Sequence, residues 1–477
     1  MLRGKNCFFL LPFILFLYLV VSESVEQSMY TDGVAYAGLS KNLANGIGTF
    51  WTPRLSAVHL TAFHSHPPLV FWIQSLFFRA LGDGIVTERI YAAVIFLLSG
   101  VLMVLLWREA LRAAPAISRL WFLPLTLWLL NEIVYHYYPA NVLEPTMTLF
   151  ILAAIYCCLF GLRESTSTAK QIGAAALGGI LIVLATLCKG FVALFPLAIY
   201  VLYWLIFPAL SLRRSLVLTL ILIAVIGVTY ALLWQYPPAR VALWEYLEIQ
   251  VFPSLSGERV WEPHYRSSHW YIIKRLFAVI LPSFLVGALV LGLVVRKNRH
   301  TLADRRGRDF AYLFLSLGVA ASFPLAISPK QSFYYLLPSM PFFALGFAAF
   351  IGPATAHLMN KTSPSWVTRA LPVITVVLLL GGLINTYRHW GDINRRDEVV
   401  LHDIKALKEA IPAGSTVGSR GDIADLVSYF YRLHAVSIDT SQVSAQSYDL
   451  LILSHAEKHE PDLPLLIKGK RYSLYGR

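Results

Sequence analysis

A chain of 477 residues that is 57% hydrophobic and only 14% charged is far from the balance of a soluble globular protein, which excludes a single soluble core. The net charge of +13 does not point to nucleic acid, because the basic residues sit in short clusters between apolar runs, the pattern that sets membrane orientation. Cys7, Cys157, Cys158 and Cys188 lie in or beside apolar runs, so neither a disulfide framework nor a zinc site is indicated.

In chain order, runs near the ~20 apolar residues needed to cross a bilayer fall at about 7–22, 88–107, 119–138, 143–162, 172–188, 190–209, 215–234, 275–295, 310–327, 333–352 and 367–387. These eleven spans predict a polytopic α-helical membrane protein. With the N-terminus inside, the inner loops receive Arg3 and Lys5, then Arg108, Arg112 and Arg119, then Arg163 and Lys170, then Arg213 and Arg214. The dense run from Arg296 to Arg308 comes next, then Lys361 and Arg369. That asymmetry puts the C-terminus outside. The first run also has the look of a signal peptide, with Arg3 and Lys5 before it and Ser22 and Ser24 after it, but an uncleaved anchor is the preferred reading.

The expected organisation is a transmembrane domain over 1–387, with outer loops at about 23–87 and 235–272, and a small soluble α/β domain over 388–477 on the outer side. Function is sought on the outer segments. The first contains Asp32 in Tyr30-Thr31-Asp32-Gly33-Val34-Ala35-Tyr36, an amphipathic stretch to Asn45, and the run from Gly46 to Leu55 that includes Arg54. His64-Ser65-His66-Pro67-Pro68 lies beyond it. A carboxylate outside a hydrophobic span suits a pocket reached by water. The short apolar stretch Leu69 to Leu81 reads as an interfacial helix. Pro67-Pro68 also fits an ordinary helix start, and His64 and His66 also read as solvated loop histidines.

Farther on, Glu144-Pro145 opens a span, and the bland reading is an acid favoured by the helix dipole. Lys189 and Lys330 are cations between spans on the side where positive charge is disfavoured; an anionic phosphate explains them, and snorkelling is the plainer alternative. The loop from Trp244 to Tyr271 mixes aromatic, acidic and basic residues, including Glu248 and Arg266, as a cleft for sugar and phosphate would.

Taken together, Asp32 with Tyr36-Ala37, Gly48 to Leu55, Pro67-Pro68-Leu69 with Trp72, Glu88-Arg89, Glu144-Pro145, Lys189-Gly190, and Lys330 with Tyr334-Tyr335 and Pro338 form an ordered set. In this set the chain resembles the lipid-linked sugar transferases of the GT-C fold, the group that contains the bacterial lipid A aminoarabinose transferases and, more distantly, the protein O-mannosyltransferases.

The resemblance implies that Asp32 and Glu144 are the catalytic acids and that Lys189 and Lys330 lie near the donor phosphate, for which His66 and Arg266 are further candidate binding residues. Tyr36, Arg54, Glu88, Glu248, Tyr334 and Tyr335 then line the substrate. It also implies a polyprenyl-phosphate sugar as donor, a lipid, glycan or protein as acceptor, and transfer on the outer face of a bacterial inner membrane. The chain departs from the group in three places: Gly33 stands where a second acid often succeeds the aspartate, Ser65-His66 where Glu-Lys often precedes Pro-Pro-Leu, and Glu248-Ile249 where a Glu-His pair is found. These changes remove metal ligands and a phosphate-binding lysine, so no metal or other cofactor is carried over and a divalent ion stays an open question.

The chemistry expected is a single displacement at the anomeric carbon, with Asp32 taking a proton from the acceptor. A transporter or flippase for a lipid-linked glycan is the competing class. It calls for internal repeats and ionisable residues near the midplane, whereas no repeat is evident here and the ionisable residues gather at the outer ends of spans.

Overall fold

The structure is a computed structural model that describes residues 4–256, 270–295, 305–327, 331–360, 365–421, 423–441, 448–457 and 463–476. Among the described residues nine helices are long and apolar enough to cross a membrane: Asn6–Ser24, Ile85–Ala110, Glu144–Gly161, Thr168–Lys189, Leu212–Gln235, Tyr271–Val294, Arg305–Ala326, Phe333–Asn360 and Thr368–Arg388. The polytopic class holds, and the count of eleven is not confirmed.

Two of the predicted spans are apolar but broken. The run at 119–138 divides into Phe122–Leu129 and Glu132–Tyr137. At the break, the Asn131 amide donates to Leu127 O at 2.7 Å and Trp128 O at 3.0 Å, taking carbonyls that a continuing helix would have used. The run at 190–209 begins with Gly190 at φ +110°, winds as a tight 3-10 helix over Phe191–Ala198 around Pro196, and only then becomes the α-helix Ile199–Ile206. Hydropathy registers the apolar run and is blind to both interruptions. The predicted interfacial helix forms over Leu69–Leu81.

The chain divides into two compact units. The first comprises Met1–Ser24, Ala92–Pro139 and Leu143–Arg388. It is helical, and its helices approach closely at small residues: a Cβ on Gly178 would lie 2.9 Å from Cys158 Sγ, so Thr168–Lys189 can sit against Glu144–Gly161 only with glycine there. Buried aromatic rings fill the wider gaps, with Phe96 stacked on Trp128 at 4.7 Å and Tyr138 edge-on to Trp128 at 5.1 Å.

The second unit comprises Val25–Tyr91, Ala140–Val142 and His389–Arg477, so the loop at about 23–87 and the C-terminal tail fold together. Its sheet has the order β2-β1-β3-β5-β4, with β1 Thr416–Arg420, β2 Ser437–Asp439, β3 Leu450–Ser454, β4 Leu465–Lys468 and β5 Tyr472–Gly476. Strand β1 is parallel to β2 and β3, while β5 runs antiparallel to β3 and β4. The helix Ala424–His434 makes the crossover from β1 to β2, as a parallel pair requires.

One core joins loop and tail: Met29 and Val34 from the loop are buried with Leu407, Val417, Leu426, Phe430, Ile452 and Leu474 from the tail. The polar contacts repeat the pattern. Tyr429 Oη accepts the Met29 N–H at 2.7 Å and lies 2.8 Å from Asp397 Oδ2. Burial, together with the Asp397 carboxylate, pushes the Tyr429 hydroxyl up, so it remains a donor. Asn42 Nδ2 bonds Leu55 O at 2.7 Å and Tyr431 Oη at 3.0 Å.

Inside the tail, Asp403 accepts the N–H groups of Lys470 at 2.7 Å, Arg471 at 2.8 Å and Tyr472 at 3.0 Å. Burial opposes its charge, but these three bonds and the neighbouring His402 prevail and hold Asp403 below the usual carboxylate range.

Candidate active site

In the second unit Asp32 occupies the first turn of the helix Thr31–Ala44, partly exposed, where the helix dipole favours an anion. The next residue is fixed by the backbone. A Cβ on Gly33 would lie 1.9 Å from Ala140 O, so the position beside Asp32 accepts no side chain at all. The absent second acid is therefore a packing requirement of this chain.

Asn141 holds that approach. It adopts φ +57°, a left-handed conformation that asparagine tolerates better than most residues, and its amide donates to Gly33 O at 2.9 Å. Gln74, fully buried on the Leu69–Leu81 helix, donates to Asn141 Oδ1 at 2.6 Å. The Leu69–Leu81 helix is thus tied to the segment that carries Asp32.

One turn beyond Asp32, Tyr36 is buried and meets His66 at 6.2 Å, Phe63 at 6.2 Å and Phe71 at 5.5 Å between ring centroids. His66 is half-buried against this aromatic group. His64, for which a solvated loop position was the plainer expectation, is buried with Nε2 2.9 Å from Trp51 O. The side chain of Arg54 is exposed, and its carbonyl accepts a bond from Asn42 at 2.8 Å.

In the first unit Glu144 opens one helix and Lys189 closes the next, and the two side chains form an ion pair that is 1% exposed at the carboxylate and 10% at the ammonium. The ammonium also faces two rings, 4.5 Å from the Tyr335 centroid and 5.4 Å from that of Tyr334. Tyr334 stacks on Tyr137 at 5.0 Å, and Arg275 lies 5.5 Å from the ring centres of both Tyr271 and Phe333. A Cβ on Gly190 would be 1.7 Å from Tyr246 Oη, so glycine at this left-handed position lets Tyr246 cover the helix end beside Lys189. Tyr246, Phe191, Tyr230, Trp234 and Leu243 line an apolar cavity of about 280 Å³.

Of the residues selected from sequence, the structure groups Glu144, Lys189, Tyr334 and Tyr335 in one unit and Asp32, Tyr36 and His66 in the other. Glu88 is 2% exposed and held by Arg432, whose Nε donates to Glu88 Oε2 at 3.1 Å and whose other nitrogens donate to Asp83 O at 3.0 Å and Gly84 O at 3.1 Å. This arrangement makes Glu88 an internal tie between loop and tail. Glu248 is exposed on the turn Leu247–Val251. Lys330 and Arg266 lie outside the described residues.

Sequence reading did not select Asn141, Gln74 or Arg275 as site residues. Arg275 had a signal, a cation one turn into an apolar run; the other two had none. Among the described residues no group of three or more His, Cys, Asp or Glu side chains is placed to hold a metal ion.

The chain carries the GT-C fold, a bundle of spans together with a small α/β unit. Over 97% of its length it superposes on 96% of ArnT from Cupriavidus metallidurans bound to undecaprenyl phosphate, with a TM-score of 0.62 and 15% identity. The Archaeoglobus fulgidus oligosaccharyltransferase matches at a TM-score of 0.55 and 12% identity, over 92% of this chain and 64% of that one.

Residues 65–234 match the family described as dolichyl-phosphate-mannose-protein mannosyltransferase. In sequence the chain resembles the undecaprenyl phosphate-alpha-4-amino-4-deoxy-L-arabinose arabinosyl transferases. It is 23% identical to that of Serratia proteamaculans over 380 residues, which is 76% of this chain and 61% of that protein. One of two from Proteus mirabilis is 28% identical over 189 residues, 38% of this chain and 32% of its own length. The chain thus spans less than two thirds of the length of these relatives.

Proposed function

We propose that the protein is an integral membrane glycosyltransferase that moves a sugar from a polyprenyl-phosphate donor to a hydroxyl or phosphate of a glycolipid, polysaccharide or protein. The observation that carries this reading is Lys189, an ammonium almost out of water, balanced by Glu144 and facing Tyr334 and Tyr335. A buried lysine tied to a single carboxylate keeps donors for a further anion, and a donor phosphate supplies one.

Asp32 accepts the acceptor's proton as the acceptor oxygen attacks the anomeric carbon. The bond from that carbon to the phosphate oxygen breaks, the phosphate leaves with the electron pair, and configuration inverts. Charge growing on the leaving oxygen is met by Lys189, with His66, Lys330 and Arg266 as further donor-side cations. Tyr36, Tyr334 and Tyr335 offer ring faces to the sugar, and the apolar cavity beside Tyr246 takes the start of the isoprenoid chain. The Gly33 position is closed to an acid and the described residues gather no metal ligand set, so no step is routed through a metal ion.

The proposed location is a bacterial inner membrane, with the site and the tail on the extracytoplasmic face. The basic clusters Arg108 to Arg119, Arg163 to Lys170, and Arg213 with Arg214 favour that orientation.

The test is transfer by the purified full chain in proteoliposomes, with a panel of radiolabelled undecaprenyl-phosphate sugars and mass analysis of the products. Label appearing in a new glycoconjugate with release of the lipid phosphate supports the reading. Movement of label across the bilayer with no product would replace it with transport.

A further inference from the structure

In the second unit, the residues that lead into the Asp32 helix, Val25 to Thr31, are held by the tail almost one by one. The Gly391 N–H donates to Val25 O at 2.9 Å, and the Gln27 N–H to Asp392 O at 2.8 Å. Ser28 Oγ accepts the Asn394 N–H at 2.7 Å, and Thr31 Oγ1 lies 3.4 Å from Asp425 Oδ1.

Met29, just ahead of the helix, is fixed at both of its backbone polar groups. Its N–H donates to Tyr429 Oη at 2.7 Å. Its carbonyl oxygen lies 2.7 Å from the same hydroxyl and accepts from Arg396 Nη2 at 2.8 Å. Asp397, 3% exposed, completes the group: it accepts from Arg396 Nε at 2.7 Å and stands 2.8 Å from Tyr429 Oη. The Arg396 guanidinium also lies 5.6 Å from the centre of the Tyr30 ring.

Tyr30 is the N-cap residue of the helix Thr31–Ala44, and no side-chain cap bond closes that helix start. Such a cap is the usual local device for fixing where a helix begins. Here the entry is fixed by Tyr429, 400 positions along the chain from Met29. On the other side of Asp32, Gly33 O is held by Asn141 at 2.9 Å. The backbone is therefore pinned before and after Asp32, while the carboxylate stays partly exposed. A buried ion pair adds little net stability over apolar packing of the same volume, so the use of Asp397 and Arg396 here is geometric: they orient the Tyr429 hydroxyl and the Met29 carbonyl.

We propose that the tail positions Asp32 for proton transfer, with Tyr429, oriented by Arg396 and Asp397, as the chief positioning residue. It fixes the approach of the helix, and so the place of the carboxylate against the acceptor hydroxyl. The inference rests on Asp32 taking the acceptor's proton. That transfer needs a heavy-atom separation of roughly 2.6–3.2 Å, and a misplacement of about 1 Å can cost about 100-fold. Y429F removes the hydroxyl and both of its ties to Met29 while leaving the ring in the core.

The test is single-turnover transfer by the full chain in proteoliposomes, with the radiolabelled undecaprenyl-phosphate sugar that wild type uses, read as a rate constant and as an amplitude. Wild type, Y429F, D32N, D32N/Y429F and Y448F are compared. Y448F is the matched control, since Tyr448 Oη donates to Asp439 Oδ2 at 2.8 Å wholly within the tail. Y429F should lower the rate constant about 10- to 100-fold at full amplitude, with Y448F at the wild-type value and D32N/Y429F no slower than D32N. A merely structural tyrosine would lower the amplitude and spare the rate constant. That result, an equal slowing in Y448F, or a double variant slower than D32N by the whole factor of Y429F would overturn the proposal. Should Y429F give no amplitude, S28A, which removes only the acceptor of the Asn394 N–H, decides: a slower step at full amplitude supports positioning, and the wild-type rate constant overturns it. D32N at the wild-type rate is a separate failure, which overturns the role of Asp32 and the positioning with it.

Discussion

Two acids in this chain sit in nearly identical pairs, and the proposed function gives them different work. Glu88 and Glu144 each lie in the first turn of a long helix, each is almost fully buried, and each forms an ion pair with a basic side chain. Glu88 faces Arg432, whose planar fork is filled by the carboxylate and two backbone carbonyls, leaving little for a ligand. Glu144 faces Lys189, whose other neighbours are the ring faces of Tyr334 and Tyr335. On this proposal, saturation of the cation separates the structural tie from the binding group, and burial of the acid does not.

The comparison breaks most visibly if both members of the Glu144–Lys189 pair are exchanged for neutral groups. Glu144→Gln with Lys189→Met should cut transfer by about 10²–10³-fold, because the donor phosphate loses its cation while no lone charge is left buried. Comparable turnover by this double variant, in the proteoliposome assay, would reduce the pair to packing.

Arg432→Met should instead cost about 3–5 kcal/mol of stability in the loop-and-tail unit, since Glu88 would be left buried and unpaired. Denaturant titration of an intrinsic tryptophan signal measures this loss, and transfer per folded molecule should stay near wild type. Gly33→Ala should cost about 1–3 kcal/mol or more by overpacking, as its Cβ would overlap Ala140 O, and should lower transfer by displacing the turn that carries Asp32. A crystal or cryo-EM structure of an active Gly33→Ala with an unmoved Asp32 would contradict this.

The smallest effect concerns acid. Asp403 has its pKa held down in the folded tail, so its contribution is whole above the ordinary carboxylate value of about 4 and is lost as pH falls through the lower folded value. Asp403→Asn should flatten the stability of the tail below that value and lower it at neutral pH, as read by denaturant midpoints across the acid range.

The parts legible in the sequence were those written within a few residues of one another. Asp32 after an apolar run, Glu144-Pro145 at a span start and Lys189-Gly190 at a span end are local signals of charge at a membrane boundary. Other features depend on residues far along the chain. Glu88 resembled a substrate group until Arg432, 344 positions away, was seen to hold it. The reason for Gly33 lies at Ala140 and at Asn141, the latter 108 residues beyond it. The breaks within the apolar runs at 119–138 and 190–209 are hidden for a related reason: hydropathy sums over a window, whereas a single Asn131 or Gly190 with Pro196 redirects the backbone inside it.

The central claim is that Asp32 takes the acceptor's proton, and Asp32→Asn tests it most directly. Single-turnover transfer should be measured in proteoliposomes charged with the radiolabelled undecaprenyl-phosphate sugar that wild type uses. The account predicts a loss of about 10²–10⁴-fold in the transfer step, with donor binding and the unfolding midpoint unchanged. Transfer at the wild-type rate by a normally folded Asp32→Asn would contradict it.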